Sequence, residues 1–117
     1  NYTNQCIQDT GKFAISILGE NSRPGIIGTF GFKSGRDNNK FDEVDYGVKG
    51  FLPVVTDACA YIVCEVIDKM ETSTHTVFLG KVLDADILKK DTPMTYAYYH
   101  NVIKGRSPKN APTYIAE

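Results

Sequence analysis

A chain of 117 residues, 42% hydrophobic and 23% charged, can bury one core and is too short for two comfortable ones. Its 13 basic and 14 acidic side chains leave a formal charge of −1, so no broad positive field gathers nucleic acid. The longest apolar run, Ala58 to Cys64, falls far short of the roughly 20 residues that a membrane-spanning helix needs, and no signal peptide is legible.

In chain order, "NYTNQCIQDTG" reads as a short helix capped by Thr3 and stopped at Gly11. Phe13, Ile15 and Ile17 then alternate with smaller or polar residues, which predicts a strand. Ser22 and Pro24 open a second short helix carrying Ile26, Ile27 and Phe30 on its apolar side. "KSGRDNNKFDEVDYG" reads as a polar surface loop in which Asp37 caps a turn that tucks Phe41 inward.

After the punctuation of Gly50 and Pro53, "ACAYIVCEVID" sets Ala60, Ile62, Cys64 and Val66 against Tyr61, Val63, Glu65 and Ile67, the pattern of a strand buried on much of both faces. A second long strand follows, with Val77, Leu79 and Leu83 opposed to Phe78, Gly80 and Val82. The polar loop around Thr72 to Thr74 joins the two as an antiparallel pair. Near the end, Thr92 caps a helix with Pro93 in its first turn and Gly105 as its stop, and Tyr96, Tyr99 and Ile103 share a face. Residues 105–117, with two prolines, read as an extended tail across a surface.

Cys6, Cys59 and Cys64 are odd in number and lack CxxC spacing, which fits reduced thiols in a cytoplasm and predicts no metal site. Cys59 and Cys64, five apart on one strand, would face opposite ways. The chain has no GxSxG elbow, Walker loop, GxGxxG or HExxH, so the usual hydrolase and nucleotide-triphosphatase chemistries are excluded. Two histidines remain. His100 sits among three tyrosines and reads as packed or as a surface residue, whereas His75, between a hydroxyl-rich turn and an apolar strand, is either a polar strand cap or a group facing a ligand.

The segments "NYTNQCI", "GTFGFKSGRDNNKF", "THTVFLGKVLDADIL", "PMTYAYYHNVIKG" and "SPKNAPTY" occur in this order in the flavin reductase-like, FMN-binding split-barrel family. The chain resembles its branch of flavoredoxins and high-molecular-weight rubredoxin flavin domains over essentially all of residues 1–117. The resemblance implies a mainly β fold with short helices, a Greek-key split β-barrel covered by a second copy in a twofold dimer. Family members carry an N-terminal portion ahead of the position of Asn1, so part of the barrel and of the flavin site is expected there.

By the same resemblance, Asn1, Tyr2 and Thr3 belong to the element that meets the phosphate of FMN, where hydroxyls and helix N–H groups suit a dianion. Arg36 or Lys40, with Lys40 preferred, would neutralise that phosphate or the reduced flavin N1, the competing reading being a solvated loop whose charges pair among themselves. His75 occupies the place where many relatives carry Gly-Asp-His beside the flavin and the nicotinamide. Here Thr74 replaces the aspartate. A hydroxyl can orient the imidazole but cannot raise its basicity as a carboxylate does, so His75 is expected to position rather than to transfer protons. The tyrosines near residue 98 read as core or as cover for a flavin edge or dimer seam. The basic residues Lys104, Arg106 and Lys109 serve solubility or guide an acidic partner such as a rubredoxin, or the extra phosphate of NADPH.

Three functions follow from the resemblance. The first is an FMN-dependent reductase taking hydride from NAD(P)H and passing electrons to free flavin or a small iron protein. The second is an FMN electron carrier that never meets a pyridine nucleotide, and the third a truncated dimerising module without cofactor.

Overall fold

The computed structural model describes residues 2–32, 46–49 and 52–103. Asn1, Arg36, Lys40, the expected turn at Asp37 and Phe41, and the expected tail at 105–117 lie outside them. The elements are α1 (Tyr2–Thr10), β1 (Lys12–Leu18), α2 (Pro24–Phe32), β2 (Tyr46–Lys49), β3 (Leu52–Val55), β4 (Ala58–Glu71), β5 (Thr76–Ile87) and α3 (Tyr96–Tyr98), which runs on as a π-helical turn over Tyr99–Ile103. Among the described residues, no helix is long and apolar enough to cross a membrane.

Gly11 ends α1 in the left-handed conformation at φ 68°, donating its N–H to the Ile7 carbonyl at 2.8 Å. The helix starts at Tyr2, so Thr3 lies inside the first turn and does not cap it. Helix α2 opens at Pro24 as expected, the position where a missing N–H costs nothing. Its N-terminus is held from outside: the Arg23 N–H donates to Asp57 Oδ2 at 2.8 Å, and the Ser22 hydroxyl donates to the Asp57 carbonyl at 3.0 Å.

Strands β1, β4 and β5 form an antiparallel sheet in the order β1-β4-β5, while β2 and β3 form a separate antiparallel hairpin. Ala14 pairs with Val63 and Ser16 with Tyr61, so these four share the face that meets β3. Small residues stand on that face because β3 comes close: the Val55 N–H donates to Ser16 Oγ at 3.0 Å. Val54, Tyr61 and Val63 form one buried cluster with Ala14, Leu52 and Leu88 against it. Ile26, Val55 and Ala58 form another, backed by Leu18, Phe30 and Leu88. Leu88 therefore joins the two halves of the core. The opposite face carries Phe13, Ile15, Ile17, Ile62, Val82, Ala85 and Ile87; Ile15, Val82 and Ile87 are exposed on it, Ile87 at 74%, while Phe13, Ile17 and Ile62 are half-buried.

Two expectations need correction. Tyr46 and Gly47, read as loop, begin β2, and Pro53 lies inside β3 opposite Val48. A two-stranded ribbon is all edge, so proline is tolerated there. The last helix is capped by Thr95 and not Thr92, the Tyr98 N–H donating to Thr95 Oγ1 at 3.1 Å. Pro93 is spent on an antiparallel bridge with Gly19, flanked by the Met94 N–H to the Leu18 carbonyl at 2.7 Å.

Candidate functional site

Beyond Lys12, which pairs with Glu65, β1 ends and β4 and β5 run on as a two-stranded arm. Such a ribbon is marginal alone. Helix α1 lies along one side of it, anchored by the Val66 N–H on the Gly11 carbonyl at 2.8 Å. Ile7 and Gln8 from the helix and Val66, Phe78 and Lys69 from the arm line a shallow groove of about 320 Å³, which contains none of the expected site residues.

The arm turns at Thr72–His75. The Thr72 N–H donates to the His75 carbonyl at 2.7 Å, the Thr72 hydroxyl donates to the same carbonyl at 2.8 Å, and the His75 N–H returns to Thr72 Oγ1 at 2.9 Å. This doubly closed turn fixes the backbone of His75. Thr74 Oγ1 then lies 2.7 Å from His75 Nδ1, so the hydroxyl occupies one ring nitrogen of an exposed side chain. Thr74 and His75 thus meet through this bond.

The start of α1 reaches the same tip. Asn4 Nδ2 donates to Thr76 Oγ1 at 2.9 Å, across 72 positions of sequence, which ties the first turn of α1 to the residue that follows His75. Tyr2 and Thr3 are exposed, and the first turn of α1 carries no acidic residue, so no carboxylate of that turn opposes an anion at this end of the helix. The nearby carboxylate of Glu71 accepts from Thr76 at 3.0 Å and lies 3.5 Å from the Lys69 ammonium.

Sequence reasoning missed Asn4, Gln8, Lys69, Glu71 and Thr76. The four-residue spacing of Asn4 and Gln8 announces a side-chain pair on a helix, but nothing local shows that the pair continues onto the arm. The second histidine is packed as expected: His100 stacks on Tyr96 with ring centroids 5.8 Å apart, and Tyr99 lies 6.3 Å from Tyr96. The buried His100 Nδ1 has no hydrogen-bond partner among the described residues. Cys59 and Cys64 are both buried free thiols.

Two shifted ionisations belong to the scaffold. The Arg23 backbone N–H, then the Lys89 ammonium at 2.7 Å, hold the Asp57 carboxyl below its ordinary range. Tyr61 donates its hydroxyl to Asp84 Oδ2 at 2.9 Å, and that bond pushes the phenol up.

Residues 1–105 match the family model of the flavin reductase like domain. The chain is 42% identical over 116 residues to a high molecular weight rubredoxin of Moorella thermoacetica, covering 97% of this chain and 51% of that protein. It is 37% identical to an NAD(P)H ferric-chelate reductase of Archaeoglobus fulgidus, covering 98% of this chain and 69% of that protein. Among solved structures, the NADH:FAD oxidoreductase SgcE6 of Streptomyces globisporus superposes with a TM-score of 0.68 at 25% identity, over 74% of this chain and 52% of that one. The chain thus spans about half the length of the Moorella protein. The extent of the family match and the shared fold lead to one conclusion: the chain belongs to the flavin reductase-like family, whose split-barrel fold its antiparallel sheet shares.

Proposed function

We propose that this chain is the flavin-holding part of an FMN-dependent oxidoreductase that takes hydride from NAD(P)H and delivers electrons to free flavin or to a small iron protein such as a rubredoxin. The observation that carries this reading is the junction of α1 with the hairpin tip, Asn4 bonded to Thr76, in a chain that matches the flavin reductase like domain over residues 1–105. The relatives named as a high molecular weight rubredoxin and an NAD(P)H ferric-chelate reductase supply the donor and acceptor classes.

The first turn of α1, with Tyr2 and Thr3, would hold the phosphate through backbone N–H groups and the Thr3 hydroxyl, and Asn1, which lies outside the described residues, would add to it. Arg36 or Lys40 would add positive charge; both lie outside the described residues. His75, its Nδ1 taken by Thr74, would present Nε2 to the ligand as a fixed polar contact. FMN, when bound, supplies the hydride and electron chemistry, and the residues of the chain bind, orient and exclude water. The open apolar strip of Ile15, Val82 and Ile87 suits cover by a second copy, giving a twofold dimer of one domain per chain.

The test is a titration with FMN followed by anaerobic mixing with NADH and NADPH. Bleaching of the bound flavin near 450 nm, roughly the region of oxidised flavin absorbance and a marker of cofactor reduction, is expected. Bound flavin that never bleaches would instead favour the electron carrier, and flavin that stays free would favour the cofactor-free module.

A further inference from the structure

Five side chains at the seam of α1 and the arm form a closed polar ring. The Lys69 ammonium donates to Gln8 Oε1 at 2.6 Å, Gln8 Nε2 donates to Asn4 Oδ1 at 2.6 Å, and Asn4 Nδ2 donates to Thr76 Oγ1 at 2.9 Å. The Thr76 hydroxyl donates to Glu71 Oε2 at 3.0 Å, and Glu71 Oε1 lies 3.5 Å from the Lys69 ammonium where the circuit began. In the four hydrogen bonds every proton points the same way, from the cation to the carboxylate, and the ion pair closes the circuit. Each bond then polarises the next, and the charges at the two ends set the direction. The two amides are thereby fixed in orientation, because turning either would set donor against donor or acceptor against acceptor.

The Thr76 hydroxyl is the joint of this circuit. It has one proton, given to Glu71, and it accepts a bond that crosses from α1 to the tip of the arm. It is also the residue after His75, on a strand whose turn is already closed by Thr72.

We propose that Asn4, Gln8, Lys69, Glu71 and Thr76 are positioning residues. Their ring sets the distance between the first turn of α1 and the His75 tip, so that one ligand meets both. The inference rests on the flavin reading above and deepens it. A ligand that carries both a ring system and a phosphate gains from the two contacts only while their spacing is held, because the second contact is then made at no further cost in freedom. A ligand with the ring system alone gains nothing from the spacing.

The experiment compares FMN with riboflavin, by quenching of flavin fluorescence, on the wild-type chain, Thr76→Val and Thr76→Ser. Valine keeps the shape and removes both bonds of the joint, and serine keeps the hydroxyl. The wild-type chain is expected to prefer FMN. Thr76→Val should lower that preference about tenfold, the scale of one lost polar contact, with riboflavin affinity unchanged, and Thr76→Ser should restore it. A Thr76→Val chain that keeps the full preference, or one in which both ligands weaken in proportion, overturns the positioning role. A wild-type chain that binds both flavins equally overturns the phosphate reading itself. In flavin-free protein, faster amide exchange along α1 in Thr76→Val, with Val63 unchanged, is expected. Unchanged exchange along α1 overturns the ring independently of any ligand.

Discussion

The two ends of β4 are held by different physics. From Ala58 to Cys64 the strand lies between β1 and β5 under the β2–β3 hairpin, and Ala58 and Val63 have no exposed surface. Beyond Glu65 its side chains are mostly exposed, β1 has ended, and a helix and a polar ring hold it. Apolar burial is strong and indifferent to direction, whereas hydrogen bonds at an exposed seam add little stability but fix angles and distances. The core end therefore keeps the fold, and the arm end keeps the geometry of the candidate site.

The largest effect should come from the core end. Val63→Ala removes two methyl groups from a fully buried site and should cost about 2 kcal/mol in chemical denaturation, by lost transfer energy and a residual cavity. A loss as small as a surface substitution would break the contrast between the two ends. Gly80→Ala probes the border between them: a methyl there would stand 2.7 Å from Phe13 Cζ and 3.0 Å from Cys64 Cβ. Overpacking of this kind should cost about 1–2 kcal/mol, and Phe13→Leu in the same chain should recover part of it.

Asp57 ties the β3–β4 turn to α2 and to Lys89, and its effect depends on pH. Its folded-state pKa is lowered, so the stability it contributes is present above the carboxylate range of the unfolded chain. That stability is lost as pH falls through the folded value. Asp57→Asn should therefore cost about 1 kcal/mol near neutral pH, the scale of a charged hydrogen bond. The gap to the wild-type chain should close in acid. A constant gap across pH would show that the carboxylate charge is irrelevant there. The smallest stability effect belongs to the tip: Thr74→Val should change unfolding by less than about 0.5 kcal/mol, as surface substitutions do. It should nonetheless alter the His75 ring resonances in NMR, since Nδ1 loses its hydroxyl partner.

The same contrast decides how much the sequence alone could tell. Alternation along Ala58–Ile67 and Thr76–Ile87 made the long antiparallel pair legible, because period-2 burial is a local signal. Gly11 and Pro24 marked helix boundaries through their own backbone restrictions. The β2–β3 hairpin was hidden by Gly50 and Pro53, whose turn chemistry outweighs four-residue strands in any local reading. Thr92 and Thr95 are both good caps, and the bridge of Pro93 to Gly19 selected the second. At the site, the adjacent pair Thr74 and His75 could be read directly. The ring could not, since Asn4 and Thr76 meet only after the chain has folded back across 72 positions.

The most direct test of the central claim is an amide NMR titration of the labelled chain with FMN. The account predicts that the largest shifts fall on Tyr2, Thr3 and Asn4 together with Thr74, His75 and Thr76, moving with one dissociation constant. Shifts confined to the open face around Ile15, Val82 and Ile87, or none at saturating FMN, would contradict it.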